Sequence, residues 1–297
     1  MEVRLLVGAH LTGQEHLRSQ LEANRAILER DGTLLPDRAT ATQAFAVALK
    51  AIRRGTTNDQ TGPNFISHLT EGKDCDRVLL LDANISGVLQ RPSKNGSFYP
   101  RASSTISQFI KQLDGHADVR VYFATRNPAT FLPACWVDAM LVQPDVDFPQ
   151  FVAASDPHDL RWSEFLHQIQ GRDQEVSVTT WDWDSYPTNW RMIAQAFSGI
   201  QNKEDLVDCG APLPPGMSTK GANLMHSYLK EHPTSAEADF EKVRTRFCEE
   251  FPYKDTPAFE ELWPQNLVAE LTDAYSDDLY YIERMEGMTF VKAPVYA

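Results

Sequence analysis

Two glycines, Gly8 and Gly13, enclose a short polar segment that could bind an anion. The spacing Gly-x-x-x-x-Gly is that of phosphate-binding loops, in which backbone N–H groups surround the anion. His10, Thr12 and Gln14 lie within or directly after the segment and could add side-chain donors. A complete loop of this kind continues with lysine and serine or threonine, whereas this one continues with glutamine and glutamate. The pattern therefore predicts an anion site that lacks its usual cation.

The elements on either side of this segment would place it at the edge of a sheet. Val3–Ala9 is a short apolar run typical of a buried strand. From Gln14 to Arg30 leucines recur near a helical period, and Thr33–Leu35 follows as a second short strand. Such a strand–loop–helix–strand unit begins a parallel sheet. The start of its helix presents free N–H groups and the positive end of the helix dipole, so an anion is expected there.

Strands and helices continue to alternate along residues 1–199. Gly55–Asn64 is predicted to be a polar loop, and Gly87–Arg101 a longer loop with three basic residues and no acidic one. The further predicted strands are 77–82, 118–125 and 175–180, and the further predicted helices are 40–54, 102–113, 128–141, 159–170 and 187–197. This alternation predicts an α/β fold with a parallel central sheet flanked by helices.

After Gly199 the pattern changes. Residues 211–216 read Ala-Pro-Leu-Pro-Pro-Gly, which is typical of a rigid linker, and residues 219–285 are predicted to be wholly helical. Met288–Val291 is a short final strand or arm. We therefore predict an α/β core over residues 1–199 and a helical C-terminal extension, residues 200–297, packed on it.

The acidic composition of the chain argues against some classes of binding partner. The net charge is −13, and residues 200–297 contain nine Lys or Arg against 18 Asp or Glu. An acidic chain repels nucleic acid and anionic membranes, so neither is expected as a partner.

The four cysteines form no Cys-x-x-Cys pair and the histidines no metal-ligand spacing, so no metal is expected. The first residues do not form a signal peptide and no apolar run is long enough to span a membrane, which predicts a cytoplasmic protein.

Four segments, in order, resemble the bacterial sulfotransferase family, whose members use PAPS as the sulfuryl donor. The first is GAHLTGQEHLRSQLEANRAILERDG, similar to the family's opening loop and helix. The second is RVLLLDANISGV, with Asn84 and Gly87, and the third is VYFATRNPATFLPACW, with Arg126 and Pro128. The fourth, VSVTTWDWDSYPTNWRMIAQAFSG, is similar to the family's last strand and helix. The matches are dispersed over roughly residues 1–200.

The resemblance implies a P-loop nucleoside triphosphate hydrolase-like fold. It also implies transfer of a sulfuryl group from PAPS to a hydroxyl or amine acceptor, with a carbohydrate or an anionic small molecule as candidates. Catalysis would depend on positioning and charge stabilisation, with His10 and Asp82 as the candidate catalytic residues. The implied PAPS- or PAP-binding residues are Gly8, His10, Thr12, Gly13, Gln14 and Arg126. The implied substrate residues are Asn84, Arg91, Lys94, Trp181 and Asp182.

Several positions depart from the family pattern. The family's loop cation falls at Leu11, and its acidic residue before the asparagine falls at Ala83. Asp82 is one residue earlier, which strand alternation would place on the opposite face. The family's serine after the arginine falls at Ala134.

Glu15 puts a negative charge where a phosphate would lie, and two like charges about 4 Å apart repel by roughly 4 kcal/mol at an effective dielectric of 20. Thr12 and Glu15 have the spacing of a capping box, in which Glu15 would occupy the N–H groups that an anion needs. The sequence thus leaves three hypotheses open. They are a PAPS-dependent sulfotransferase, a non-catalytic binding or regulatory protein whose donor site is closed by Glu15, and, less favoured, a phosphotransferase.

Overall fold

The computed structural model describes residues 1–171, 176–210, 217–234, 236–252, 260–264 and 266–292. A six-stranded sheet lies at the centre in the order β2-β3-β1-β6-β7-β8, and every neighbouring pair in it is parallel. A separate two-stranded antiparallel hairpin is formed by β4 and β5. The strands are β1 Glu2–Leu6, β2 Thr33–Leu34, β3 Arg77–Leu81, β4 Ser93–Lys94, β5 Ser97–Phe98, β6 Asp118–Thr125, β7 Ser177–Asp182 and β8 Met288–Phe290.

Helices cover both faces of this sheet, so the predicted α/β fold class is confirmed. The helices are α1 Gln14–Ala23, α2 Arg25–Arg30, α3 Arg38–Arg54, α4 Thr61–Thr70, α5 Ala102–Leu113, α6 Pro128–Ala139, α7 Phe148–Val152, α8 Trp162–Gln170, α9 Tyr186–Ser198, α10 Thr219–Glu231, α11 Glu237–Glu250 and α12 Leu267–Ile282. Buried side chains of α1, α2 and α9 form one core, and those of α3, α4, α5, α6 and α8 form another on the opposite face.

The chain leaves β1 and β3 towards opposite faces of the sheet. The loop after β1 leads into α1 on one face, whereas the loop after β3 leads into α5 on the other. These two strands are neighbours in the sheet. A crevice opens beyond the carboxyl ends of parallel strands where their connections diverge in this way. The topology therefore puts a crevice between residues 8–14 and residues 82–89.

Several predicted elements differ from the structure. Residues 219–285 were predicted to be wholly helical, but α10 ends at Glu231 and α11 ends at Glu250, and the predicted loop 87–101 contains the hairpin of β4 and β5. The helix predicted from Gln14 to Arg30 is broken at Asn24, whose side-chain amide donates to the carbonyls of Gln20 and Val207, both at 2.8 Å. The predicted loop at 55–64 runs into α4, which the sequence analysis missed. This helix is held by tertiary packing, because Phe65 and Leu69 are buried in the core on that face.

The C-terminal residues join the sheet as well as covering it. The predicted final strand is present as β8, which pairs parallel with β7 at the sheet edge. On α12, the Asp278 carboxylate accepts hydrogen bonds from the N–H groups of Trp162 and Ser163 at 2.7 and 3.2 Å, so it ties α12 to the start of α8. The predicted linker at 211–216 lies outside the described residues. None of the helices in the described segments combines the length and apolar character needed to span a membrane.

Candidate functional site

The segment between the two glycines continues the sheet and then turns sharply. Val7 N–H donates to the Tyr122 carbonyl at 3.0 Å, and Ala9 N–H donates to the Ala124 carbonyl at 2.9 Å. Leu11 then has a φ of 58° and Gly13 a φ of 75°, both in the left-handed region. Gly13 is the N-cap residue of α1 and makes no side-chain cap, so the helix begins at the residue that follows the loop.

The capping box predicted for Thr12 and Glu15 is wrong. With Gly13 at the N-cap, Glu15 lies one position too early in the helix to reach back to it. The Thr12 hydroxyl instead donates to the Ala9 carbonyl at 2.7 Å inside the loop. The Glu15 carboxylate turns sideways and forms an ion pair with Arg38 at the start of α3. Glu15 therefore leaves the first N–H groups of α1 uncovered.

The beginning of α1 carries hydrogen-bond donors that the described residues do not satisfy. The first backbone bond of the helix runs from Leu17 N–H to the Gly13 carbonyl at 2.9 Å. Within the described segments, no backbone acceptor meets the N–H groups of residues 14–16. Two buried side-chain nitrogens, His10 Nε2 and Gln14 Nε2, also lack a hydrogen-bond partner there. A set of unpaired donors at a helix start is a site for an oxyanion.

A cleft of about 380 Å³ opens directly over these donors. Its floor is the loop and the first turn of α1, and its walls are α3, the chain after β3 and one side chain of α11. The apolar part of the lining includes Leu11, Ala41, Phe45, Leu81, Ala83 and Leu89, and the polar part includes His10, Gln14, Glu15, Asp82, Asn84 and three arginines. The cleft coincides with the crevice that the topology creates.

Three arginines, Arg18, Arg38 and Arg244, line this cleft. Arg18 lies one turn after Gln14 on α1, is buried, and donates to the Pro36 carbonyl at 2.9 Å. Arg38 is held by Glu15, and Arg244 on α11 forms a 2.7 Å ion pair with the Asp138 carboxylate on α6. Arg18 also forms a 2.8 Å ion pair with Glu22, so each of the three arginines is paired with a carboxylate and its positive charge is partly neutralised.

His10 is buried beneath the cleft and bonded to Tyr99. Its backbone N–H donates to the Tyr99 hydroxyl oxygen at 3.2 Å, and its Nδ1 lies 2.8 Å from the same oxygen. Burial lowers the pKa of His10 to about 4, and the nearby Asn84 side chain offsets this only in part. The ring is therefore neutral at pH 7, which favours a hydrogen-bond donor over a proton acceptor that titrates near neutrality.

Asp82 and Asn84 lie on the wall opposite α1. The strand β3 ends at Leu81, and Asp82 caps a short 3₁₀ turn by accepting from Asn84 N–H at 2.9 Å. Because the chain turns here, strand alternation no longer decides where Asp82 points, and it lines the cleft. Burial raises the pKa of the Asp82 carboxyl, so it is a stronger base than an exposed aspartate.

Arg126 contacts the loop from behind. It lies at the end of β6 and donates through Nη1 to the Leu11 carbonyl at 2.7 Å and through Nε to the Thr130 hydroxyl at 3.2 Å. Burial lowers the pKa of its guanidinium, and Asp184 lies close enough to offset this in part. In this arrangement Arg126 holds the strained Leu11 turn, and it is not among the residues that line the cleft.

Four of the predicted substrate residues lie away from the cleft. Trp181 is 1% exposed, belongs to the core beside α1 and α9, and does not line the cleft. Asp182 accepts a 2.6 Å hydrogen bond from the Tyr275 hydroxyl at the end of β7. Arg91 and Lys94 are exposed, and neither lines the cleft. The order of the motifs along the chain could not indicate that these four residues lie away from the cleft.

The three cleft arginines were missed in the sequence. Arg18 had a usable signal, because a residue four positions after Gln14 lies on the same helix face. Arg38 had a weaker sequence signal, since it follows the second strand at the same sheet edge. Arg244 is 118 positions after Arg126 in the chain, and only the tertiary fold brings its helix to the cleft.

The buried His10 gives a pH dependence of stability. Between pH 6.5 and 4 the unfolded chain binds a proton on this ring that the folded chain does not, because the pKa falls from 6.5 to about 4. We expect the wild type to lose about 3 kcal/mol of unfolding free energy through His10 as the pH falls across that range. Urea denaturation at pH 7 and pH 4 should show this loss reduced in His10→Gln but unchanged in His116→Gln, an exposed control. Equal losses of unfolding free energy in all three proteins would contradict this role of His10.

No metal site is evident at the cleft. In the parts of the chain that the structure describes, no group of three or more His, Cys, Asp or Glu side chains could hold a metal ion.

Comparisons with known proteins give a distant structural similarity. No protein-family model matches the chain, and no curated protein matches it. Among solved structures, the crystal structure of a sulfotransferase from Alicyclobacillus acidocaldarius is similar, with a TM-score of 0.41 and 13% sequence identity. The similarity covers 84% of this chain and 95% of that one. The function proposed below therefore depends on the cleft residues and on the sequence motifs.

Proposed function

We propose that the cleft binds the anionic end of PAPS and that the protein transfers its sulfuryl group to a hydroxyl or amine acceptor. The observation that carries this proposal is the set of unpaired donors at the start of α1, including the buried Nε2 atoms of His10 and Gln14. A buried donor without an acceptor costs about 1–3 kcal/mol, and an oxyanion in the cleft would recover it. The choice of PAPS among such anions comes from the sulfotransferase-like motifs.

Each part of the site has a role in this proposal. Bound PAPS would supply the activated sulfuryl group. The N–H groups of α1, His10 Nε2 and the Gln14 amide would bind its oxygens, while Arg38 and Arg18 lower the cost of bringing negative charge into the cleft. Asp82, on the opposite wall, would accept the proton of an acceptor hydroxyl, and its raised pKa suits that task. The arginines favour an acceptor that is itself anionic.

One observation favours the alternative, a non-catalytic binding or regulatory protein. Arg38 is paired with Glu15 rather than free, and Leu11 stands at the loop position of the missing cation. In that alternative, Glu15 weakens the donor site by neutralising Arg38 rather than by capping the helix. The alternative therefore predicts that removing the Glu15 charge allows PAP to bind, whereas a working donor site binds PAP with Glu15 present.

Calorimetric titration with PAP, the desulfated donor, distinguishes them. For a working donor site we expect micromolar affinity in the wild type, about −8 kcal/mol, and affinity at least tenfold weaker in Arg38→Ala. Arg54→Ala, an exposed arginine at the other end of α3, is the control of equal charge and should bind as the wild type does. No heat from the wild type, with binding gained in Glu15→Gln, would support the alternative. No binding in either protein would overturn both.

A transfer assay tests the catalytic part. With PAPS and a panel of phenolic, sugar and amine acceptors, Asp82→Asn should lose at least about a hundredfold in transfer rate, the size expected for a general base. Its affinity for PAP should stay within about threefold of the wild type, because an uncharged amide keeps the shape of the wall. Equal transfer rates in both proteins would exclude Asp82 as the base.

A further inference from the structure

The buried pair of His10 and Tyr99 sets the direction of one hydrogen bond into the cleft. Tyr99 is 2% exposed and packs among aromatic side chains, with its hydroxyl between the backbone nitrogen and the Nδ1 atom of His10. His10 is 8% exposed and lines the cleft, and its Nε2 has no partner in the described segments. A tyrosine hydroxyl has one proton to donate and can also accept.

These roles can be assigned from the donors and acceptors. The backbone N–H of His10 can only donate, so the Tyr99 oxygen accepts there. If Nδ1 also carried a proton, the Tyr99 oxygen would receive two donors and its own proton would have no acceptor in the core. Leaving a buried donor unpaired is costly. The favoured arrangement has the Tyr99 O–H donating to an unprotonated Nδ1, with the single ring proton of neutral His10 on Nε2.

We infer that Tyr99 is a positioning residue that locks His10 in the Nε2–H tautomer, so that the ring presents a neutral hydrogen-bond donor to a sulfate or phosphate oxygen in the cleft. A neutral donor of fixed direction needs no proton exchange to bind an oxyanion. The ligand part of this inference rests on the proposed function, whereas the tautomer does not.

Nitrogen-15 NMR of the ligand-free protein at pH 7 tests the tautomer. The ring signals of His10 are identified by their loss in His10→Gln. We expect a protonated Nε2 and an unprotonated Nδ1 in the wild type, and a mixture of the two tautomers in Tyr99→Phe, which removes only the hydroxyl. A protonated Nδ1 in the wild type, or an unchanged spectrum in Tyr99→Phe, would overturn the inference.

Titration with PAP tests the consequence for binding. Tyr99→Phe should bind about tenfold more weakly than the wild type, the size of one hydrogen bond. His10→Gln removes the fixed Nε2 donor and should also weaken PAP binding about tenfold. In that background, Tyr99→Phe should have no further effect, because no tautomer remains to be set.

The outcomes separate the two proposals. Equal losses from Tyr99→Phe in both backgrounds would show a merely structural role for the hydroxyl and overturn the inference. If the wild type binds no PAP, the proposed function fails, and the NMR spectrum alone confirms or overturns the tautomer. If PAP binds while Nδ1 is protonated, the proposed function stands and the inference fails.

Discussion

Gly13→Ala is expected to abolish detectable PAP binding, a loss of at least a hundredfold. A Cβ atom at this position would lie 2.4 Å from Cζ3 of Trp183, far inside van der Waals contact, and the φ of 75° already disfavours any side chain. Trp183 cannot retreat freely, because it stacks on Tyr186, whose hydroxyl bonds His16 Nδ1 at 2.8 Å. The turn that aims the first N–H groups of α1 must therefore change.

A matched control separates this clash from backbone strain. Gly55 ends α3 with a similar φ of 65°, but a Cβ there would meet no atom within 4 Å. Gly55→Ala should cost about 1 kcal/mol of unfolding free energy and leave PAP affinity unchanged. Trp183→Ala in the Gly13→Ala background should recover part of the binding. Wild-type affinity in Gly13→Ala would show that the ligand does not use this turn.

Arg126→Ala is expected to weaken PAP binding about a hundredfold and to lower the unfolding free energy by about 2–4 kcal/mol. Its guanidinium holds the Leu11 carbonyl at 2.7 Å, and Leu11 is the residue whose left-handed backbone begins the turn into α1. Without this donor the carbonyl is left unpaired and the loop loses its support. Calorimetry and urea denaturation measure the two effects.

Two further variants test why Arg126→Ala should weaken PAP binding. Arg120→Ala removes an exposed arginine from the same strand and should change neither quantity by much. Arg126→Gln keeps an amide donor without the charge. If it retains most of the binding, Arg126 acts by holding the loop. If it binds as poorly as Arg126→Ala, the charge itself contacts the anion, as the family resemblance implies. Full affinity in Arg126→Ala would contradict both roles.

The strands and the long helices could be predicted because their signals are local. The bounds of α5 and β6 were predicted without error, since each has a clear period and is bounded by residues that end it. The same reasoning failed at α4, where Phe65 and Leu69 pack into a core shared with α3 and α5 and tertiary contacts decide the structure. Local patterns thus gave the architecture but not every element.

The candidate site was only partly predictable, for a related reason. Gly13 and the donors beside it follow one strand, so a loop motif was enough to find them. Arg38 and Arg244 reach the same cleft from distant helices, and no spacing rule connects those positions. Asp82 was doubted on strand alternation, which does not apply once the strand ends at Leu81.

The capping box predicted for Glu15 is wrong because α1 begins one residue later than the pattern indicates. A capping box needs Thr12 at the N-cap, but the left-handed Gly13 takes that place. The carboxylate is then free to pair with Arg38, which a one-dimensional pattern could not indicate. This difference matters for function, because it leaves the helix N–H groups open to a ligand.

The most direct test of the central claim is a crystal structure of the wild-type protein grown with PAP. We predict difference density for a phosphate group within hydrogen-bonding distance of the backbone nitrogens at the start of α1 and of His10 Nε2, with Arg38 turned towards it. Density for PAP at any other place, or a cleft without ligand at millimolar PAP, would contradict the account.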